Sequence, residues 1–264
     1  VGIFAGTAQY YDLYRPGVPT EVVERTVAAL QDFTQPQNLL DFGTGTGKVL
    51  EQFLPHFSDI IAVEPADEMM ALAKRRLVPQ MAPDTSIHFI TSTAENAQAF
   101  LPDDWQASLV TICRAFHWMD RNTVLAKLDQ IIEPRGMIAI FGDHSMWTLD
   151  NEWCNVIRLV IREFLGEKRR AGAGLFEPPT KVYQTNLAAS AFTMFEEFTV
   201  PLTQKWNIDQ IIGYLYSTSF AAKALFGDRV ELFENTLREQ LGPLATEGKL
   251  IEQNEFTVLL ARRP

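Results

Sequence analysis

The segment LLDFGTGTGKV, residues 39–49, sets an apolar run directly against three glycines in alternation. Leu39, Leu40 and Phe42 read as a strand buried on both faces, spanning residues 38–42 and stopped where Gly43, Gly45 and Gly47 begin. Glycines in that position let the backbone turn sharply and approach a ligand where a Cβ would collide. Two phosphate-binding patterns compete for such a loop. The dinucleotide fingerprint G-x-G-x-x-G accepts Gly43 and Gly45, but Lys48 holds its last glycine position and the third glycine arrives one residue early, at Gly47. The triphosphate loop G-x-x-x-x-G-K-[ST] accepts Gly47-Lys48, but Phe42 takes its first glycine position and Val49 replaces the hydroxyl that binds magnesium. Both phosphate readings fail on specific residues. What remains is D-x-G-x-G-x-G, opened by Asp41.

Short apolar runs and helical periodicity alternate around this loop. A helix is expected after Pro19-Thr20 and another from about Val49 to Pro55. Strands are expected at 60–63, 86–91, 108–113 and 137–141, with helices at 67–77, opened by Asp67 as N-cap, and at 121–132. Residues 151–165 are amphipathic and helical; two more strands are expected at 195–204 and 252–261, with helical periodicity over 208–241 between them. The pattern predicts an α/β fold, a doubly wound, mostly parallel seven-stranded sheet with a helical cap over its carboxyl edge. Residues 1–143 would form a Rossmann-like cofactor-binding core and 144–194 a helical cap or insert. Residues 195–264 would supply the last two strands, with a helical insertion at about 206–250.

Lys and Arg total 23 against 33 Asp and Glu, a formal net charge of −10. That balance opposes extended contact with a phosphate backbone, so no nucleic-acid partner is expected. Lys168-Arg169-Arg170, the one short basic run, reads as a solvated loop. Cys113 and Cys154 lie far apart without metal-ligand spacing, so no metal is expected and both read as free thiols. With no leader-like N-terminus and no long apolar span, the chain reads as cytoplasmic, without a membrane partner.

Five segments in order, LDFGTGTGKV, IIAVEPADEMMALAKRR, ITSTAEN, RAFHWMD and IIEPRGMIAIF, resemble class I S-adenosylmethionine-dependent methyltransferases, in a type-11-like, small-molecule branch. The resemblance covers most of residues 10–142 and implies S-adenosyl-L-methionine as cofactor. It places Gly43, Thr44, Gly45 and Gly47 against the amino-acid end of that cofactor. Asp41 would orient the loop and contact the methionyl amine, or serve only to hold the turn. Glu64 follows Asp41 by 23 residues (64 − 41) at a strand end beside Pro65, where an acid meets ribose hydroxyls; its alternative role is to cap that strand. Ala94 and Glu95 would face the adenine, and Arg114 falls in the matched segment after the fourth strand. Upstream, YYDLYRPGVP resembles a segment in which a tyrosine and an arginine approach the cofactor from the other side, here Tyr14 and Arg15. The chain departs from the pattern at Ser108, where many relatives carry an acid.

Methyl transfer from a sulfonium is an in-line displacement that alignment and desolvation can drive, with a general base needed only when the nucleophile must lose a proton. His117, in Phe116-His117-Trp118 past the fourth strand, is the candidate base; packing or positioning alone are its other readings. His144 is a second candidate. Trp118, His144, Trp147, Tyr214 and Tyr216 are the expected acceptor-binding residues, with Trp153, Phe176, Tyr183 and Phe220 nearby in sequence as pocket or core. The acceptor is expected to be a small apolar or aromatic molecule, methylated on O, N or C in specialised metabolism. A small carboxylate is the alternative within the class, because Arg158 and Arg162 repeat at i, i+4. A protein that binds the cofactor without methylating is the alternative outside it. Oligomeric state is not legible.

Overall fold

The structure, a computed structural model, describes residues 6–30, 37–171, 174–175 and 183–264. Helices α1 (Ala8–Tyr14) and α2 (Thr20–Ala28) precede strand β1 (Asn38–Phe42). Then come α3 (Leu50–Phe53), β2 (Asp59–Val63), α4 (Asp67–Leu77), β3 (Ser86–Ile90), β4 (Ala107–Cys113), α5 (Arg121–Ile131) and β5 (Ile132–Asp143). The remainder holds α6 (Glu152–Leu165), an antiparallel pair of two-residue strands β6 (Arg170–Ala171) and β7 (Gly174–Leu175), α7 (Tyr183–Ala188), β8 (Met194–Trp206), α8 (Ile208–Tyr216), α9 (Val230–Leu241) and β9 (Leu250–Arg262).

Seven strands form one sheet in the order β3-β2-β1-β4-β5-β9-β8. β1 pairs in parallel with β2 and β4, β2 with β3, and β4 with β5. The chain therefore winds outward from β1 in one direction and restarts beside it with β4, the switch point at which open α/β sheets bind ligands. Register brings the strand ends level: Phe42 faces both Val63 and Ile112, Val63 faces Ile90, and Ile112 faces Ile140. Successive residues point to opposite faces. Leu39, Ile60, Ala62 and Leu109 enter one apolar layer, while Leu40, Ile61, Val63 and Val110 enter the other. Burial on both faces is why these strands read as near-continuous apolar runs.

β5 is longer than its apolar stretch suggests. It begins at Ile132 and passes through Pro134 and Gly136, residues that weaken a strand signal. Pairing with β4 shifts register between Ala107 and Leu109, and that irregularity accommodates them. Helix α4 is also started differently from expectation. Its N-cap is Ala66, and Asp67 is the first helical residue.

The chain divides into two compact units. The sheet unit comprises Gly17–Gly142, Pro179–Val200 and Phe256–Pro264; the helical unit comprises Val1–Pro16, Asp143–Pro178 and Pro201–Glu255. The change at residue 143 falls where the composition shifts, but two segments group otherwise than the sequence suggests. Residues 1–16 join the helical unit because α1 lies on α8, with the Tyr10 ring 5.3 Å from that of Tyr216. α7 joins the sheet unit: the Tyr183 ring meets Phe116 at 5.1 Å, Arg121 donates to Asn186 at 2.9 Å, and Leu187 is in the sheet's apolar layer. Phe176 lies outside the described residues. Among the described residues, no helix is long and apolar enough to cross a membrane.

The α1–α8 contact yields a test whose sign is informative. A Cβ added at Gly213 would meet the Tyr14 ring at 2.4 Å. Helix propensity alone gives Gly213→Ala a gain of about 1 kcal/mol, whereas overpacking costs about 1–3 kcal/mol. The expected result is a melting temperature lowered by roughly 2–4 °C per kcal/mol of net loss. A raised melting temperature would show that α1 does not close on α8 in this way.

Candidate active site

The glycine loop leaves β1 at the carboxyl edge of the sheet and is pinned to its neighbour at once. The backbone N–H groups of Gly43 and Thr44 both donate to the Val63 carbonyl, at 2.9 and 3.1 Å. Gly43 has φ +74° and its missing Cβ would sit 2.6 Å from the Ala115 Cβ, so only glycine permits both the turn and the approach of the post-β4 segment. Gly47, at φ +82°, packs under Leu77 of α4. From α4, Arg76 reaches back, donating from Nε to the Thr46 carbonyl at 3.1 Å and from Nη1 to Glu51 at 2.7 Å. Nothing in the sequence marks Arg76 for this role.

Asp41 is almost fully buried, at 1% exposure. Its Oδ1 accepts from the Thr111 hydroxyl at 2.6 Å, a bond made possible because Asp41 and Thr111 are register partners in β1 and β4. Thr111 is the lone hydroxyl inside the apolar run LVTIC, the one mark this pairing leaves in the sequence. Among the described residues, Oδ2 is buried and has no hydrogen-bond partner. Burial pushes the Asp41 carboxyl up to about 6, against the lowering effect of its hydroxyl partners. A buried carboxylate oxygen without a donor is suited to a cationic group such as an ammonium.

Glu64 ends β2 and its carboxylate ties two segments together. Oε2 accepts the Gly45 N–H at 2.9 Å and Oε1 accepts the Ala66 N–H at 3.0 Å. It therefore braces the glycine loop and supplies, from two residues upstream, the acceptor at the start of α4 that Asp67 was expected to provide. Burial raises its pKa despite both bonds.

The post-β4 segment forms the next stretch of the same edge. Arg114 has φ +52° while its N–H donates to the Phe141 carbonyl at 2.9 Å, a backbone state uncommon outside glycine and concentrated at functional sites. Residues Phe116–Trp118 form one 3-10 turn. Phe116 turns into the core against Tyr183, and His117 lies on Trp118 with ring centroids 4.6 Å apart. Glu95 accepts the Asp120 N–H at 2.8 Å, its carbonyl accepts from Lys127, and Ala94 is buried. Pro65 follows Glu64 directly. Ser108 accepts from the Asn38 N–H at 3.2 Å and donates to Glu133 at 3.0 Å, which gives that departure a structural role.

The other expected residues belong to the helical unit. Arg15 donates from Nε to Ser217 Oγ at 2.8 Å and from Nη1 to the Tyr214 hydroxyl at 3.0 Å. Tyr14 covers Gly213. Trp147 packs on Phe220 at 5.2 Å. Tyr216 is interior: its ring packs with Phe226 and Phe233 and its hydroxyl donates to Glu234 at 3.1 Å, so it serves the core of this unit rather than a pocket wall. His144 is exposed and is held through its backbone, its carbonyl accepting from Asn254 at 2.8 Å. Arg158 donates to the carbonyls of Trp147 and Leu149 at 3.0 and 2.6 Å, closing a turn instead of facing a ligand. Arg169, expected to be solvated, is half-buried over the Phe220 ring at 5.1 Å.

A family profile described as "Methyltransferase domain" matches residues 40–140. An uncharacterized methyltransferase of Mycobacterium tuberculosis is 25% identical over 223 residues, 83% of this chain and 79% of the relative. The fold is shared with a solved structure from Anaeromyxobacter dehalogenans (TM-score 0.58, 19% identity, 95% of this chain and 98% of that one). It is shared also with an S-adenosylmethionine-dependent methyltransferase of Geobacter sulfurreducens in complex with S-adenosyl-L-homocysteine (TM-score 0.51, 17% identity, 99% and 98% covered). With the glycine loop, its two buried acids and the strand order already in place, residues 40–140 form a methyltransferase domain, and the chain resembles the class I S-adenosylmethionine-dependent methyltransferases.

Proposed function

We propose that the enzyme methylates a small molecule with an apolar or aromatic body, on O, N or C, in specialised metabolism. The observation that carries the cofactor half of this reading is the buried, unpartnered Oδ2 of Asp41 beside the glycine loop. The acceptor half rests on the aromatic pair His117 and Trp118 past β4 and on the net charge of −10, which disfavours nucleic acid.

In this reading Asp41 takes the amine of the cofactor, and Gly43, Thr44, Gly45 and Gly47 lie along its amino-acid end. Glu64, beside Pro65, accepts from ribose hydroxyls with the lone pairs its two backbone bonds leave over. Ala94, Glu95 and Arg114 complete the cradle. When bound, the cofactor supplies an electrophilic methyl group on a sulfonium. His117 and Trp118 meet the acceptor at the same sheet edge, His117 orienting it or taking its proton. Incubating the enzyme and methyl-labelled S-adenosylmethionine with a panel of aromatic alcohols, amines and acids tests the reading. Label in product is expected; cofactor binding with no transfer to any member would defeat the acceptor assignment.

Three variants separate the roles. Glu64→Ala removes one or two charge-assisted bonds to the ribose, each worth about 1.5–3 kcal/mol, so cofactor affinity should fall on the order of ten- to a thousandfold. A change under about threefold in a folded variant would take Glu64 out of the site. Asp41 gives a pH signature. Its folded-state pKa lies above the ordinary value of 3.8, at about 6, so stability from this group is present below 3.8 and is lost as pH rises through 6. An ammonium partner favours the ionised form, so S-adenosylhomocysteine affinity should drop as pH falls below about 6, approaching tenfold per pH unit. Asp41→Asn should flatten that profile; an unchanged profile in the variant would assign the titration elsewhere. For His117→Ala, loss of a base predicts kcat lower by roughly 10²–10⁴ with cofactor affinity kept. A rate within about tenfold of wild type would leave His117 a positioning residue.

A further inference from the structure

His117 and Trp118 stand in a short segment whose two ends are fixed. At its start the Arg114 N–H donates to the Phe141 carbonyl at 2.9 Å, and at its finish the Asp120 N–H donates to Glu95 at 2.8 Å. Between them the Trp118 N–H donates to the Ala115 carbonyl at 2.9 Å and the Met119 N–H to the Phe116 carbonyl at 3.4 Å. Those bonds shape the turn without orienting it against the sheet. The orientation comes from Phe116, 1% exposed and seated in the sheet's apolar layer. A 3-10 helix has three residues per turn, so consecutive side chains stand about 120° apart. Seating Phe116 inward therefore sets the directions of His117 and Trp118.

Helix α7 closes on that seat. Tyr183, Asn186 and Leu187 recur at i, i+3 and i+4, so one face of the helix carries all three. Leu187 is buried in the same layer as Phe116. Asn186 accepts from Arg121 at 2.9 Å and donates to Asn122 at 3.0 Å, fastening α7 to the first turn of α5. The Tyr183 ring meets Phe116 edge-on at 5.1 Å, and the Arg121 guanidinium lies 5.3 Å from its centroid. Phe116 and Arg121 bracket His117 and Trp118 in the chain, so one ring touches the segment on both sides of them. We propose that Tyr183 is a positioning residue that sets, through Phe116, the placement of His117 and Trp118 toward the acceptor. This deepens the proposed function and rests on it for the acceptor's place. Burial raises the Tyr183 pKa, with the Arg121 charge opposing, so the side chain works as a neutral ring. The lever is a strong one, because displacing a reacting group by about 1 Å can cost on the order of 10² in rate.

The test reads the imidazole signals of the full chain by NMR. The chain has 4 histidines, and His117→Gln identifies the His117 signal by its loss. With its ring 4.6 Å from that of Trp118, ring currents make the His117 shift a gauge of how the two side chains are placed. Tyr183→Leu should move or broaden the His117 signal and leave those of His56, His88 and His144 in place. Tyr183→Phe, which keeps the ring, should restore the wild-type position. Phe116→Leu should move the His117 signal as well, and adding Tyr183→Leu to it should have little further effect, since the two act as one pair. Tyr183→Met, which fills the gap without a ring, replaces the leucine variant if melting curves show that one unfolded, with the same shift expected. S-adenosylhomocysteine affinity should stay within about threefold in the leucine variant. With whichever aromatic acceptor takes label from S-adenosylmethionine, kcat should fall about ten- to a hundredfold in Tyr183→Leu and recover in Tyr183→Phe. An unmoved His117 signal in the leucine and methionine variants overturns the inference. So does movement of all four histidine signals together with loss of S-adenosylhomocysteine binding, which would make Tyr183 a general packing residue. Absence of transfer by wild type to every acceptor would instead strike the proposed function, while the His117 signal still decides whether Tyr183 sets its placement.

Discussion

The carboxylate of Glu64 holds the active-site edge in register. One oxygen takes the Gly45 N–H and the other the Ala66 N–H, so a single side chain fixes the top of the glycine loop to the first turn of α4. Asp41 performs the matching task one strand away, tying β1 to β4 through Thr111. Both acids are buried, and burial opposes their ionisation. The fold therefore keeps two carboxyl groups where water cannot solvate them. That arrangement is sustained by backbone and hydroxyl donors for three of the four oxygens, while the fourth, Asp41 Oδ2, has no hydrogen-bond partner among the described residues.

The sheet follows from the same residues that a reader of the sequence would use. Apolar runs of five or so residues, closed by glycine or by an acid and proline, can be buried on both faces only in a parallel sheet flanked by helices. β1, β2 and α4 lie where periodicity puts them. β5 is longer because a bulge hides its first half from any periodicity rule, and α1 is visible only once Tyr10 and Tyr14 have α8 to lie on.

The site was legible to the extent that it is local. Asp41, the glycines and Glu64 sit at strand ends that sequence spacing locates, and their shared edge follows from parallel register. Partners brought from a distance were not legible. Thr111 matters only as Asp41's neighbour across the sheet, and Arg76 only because α4 returns over the loop. Arg169 looks like one charge in a basic run, yet the fold half-buries it over Phe220. Tyr216, conversely, looks like a pocket residue and is core, because its helix turns that face toward Phe226 and Phe233.

The alternating glycines of this loop suit an adenosyl cofactor and not a phosphate. Calorimetric titration of wild type with S-adenosylhomocysteine, NAD and ATP tests it most directly. One molecule of S-adenosylhomocysteine should bind per chain, with NAD and ATP on the order of a hundredfold weaker or worse, a gap of about 2.7 kcal/mol. Tight NAD binding with no binding of the adenosyl compound would contradict the account.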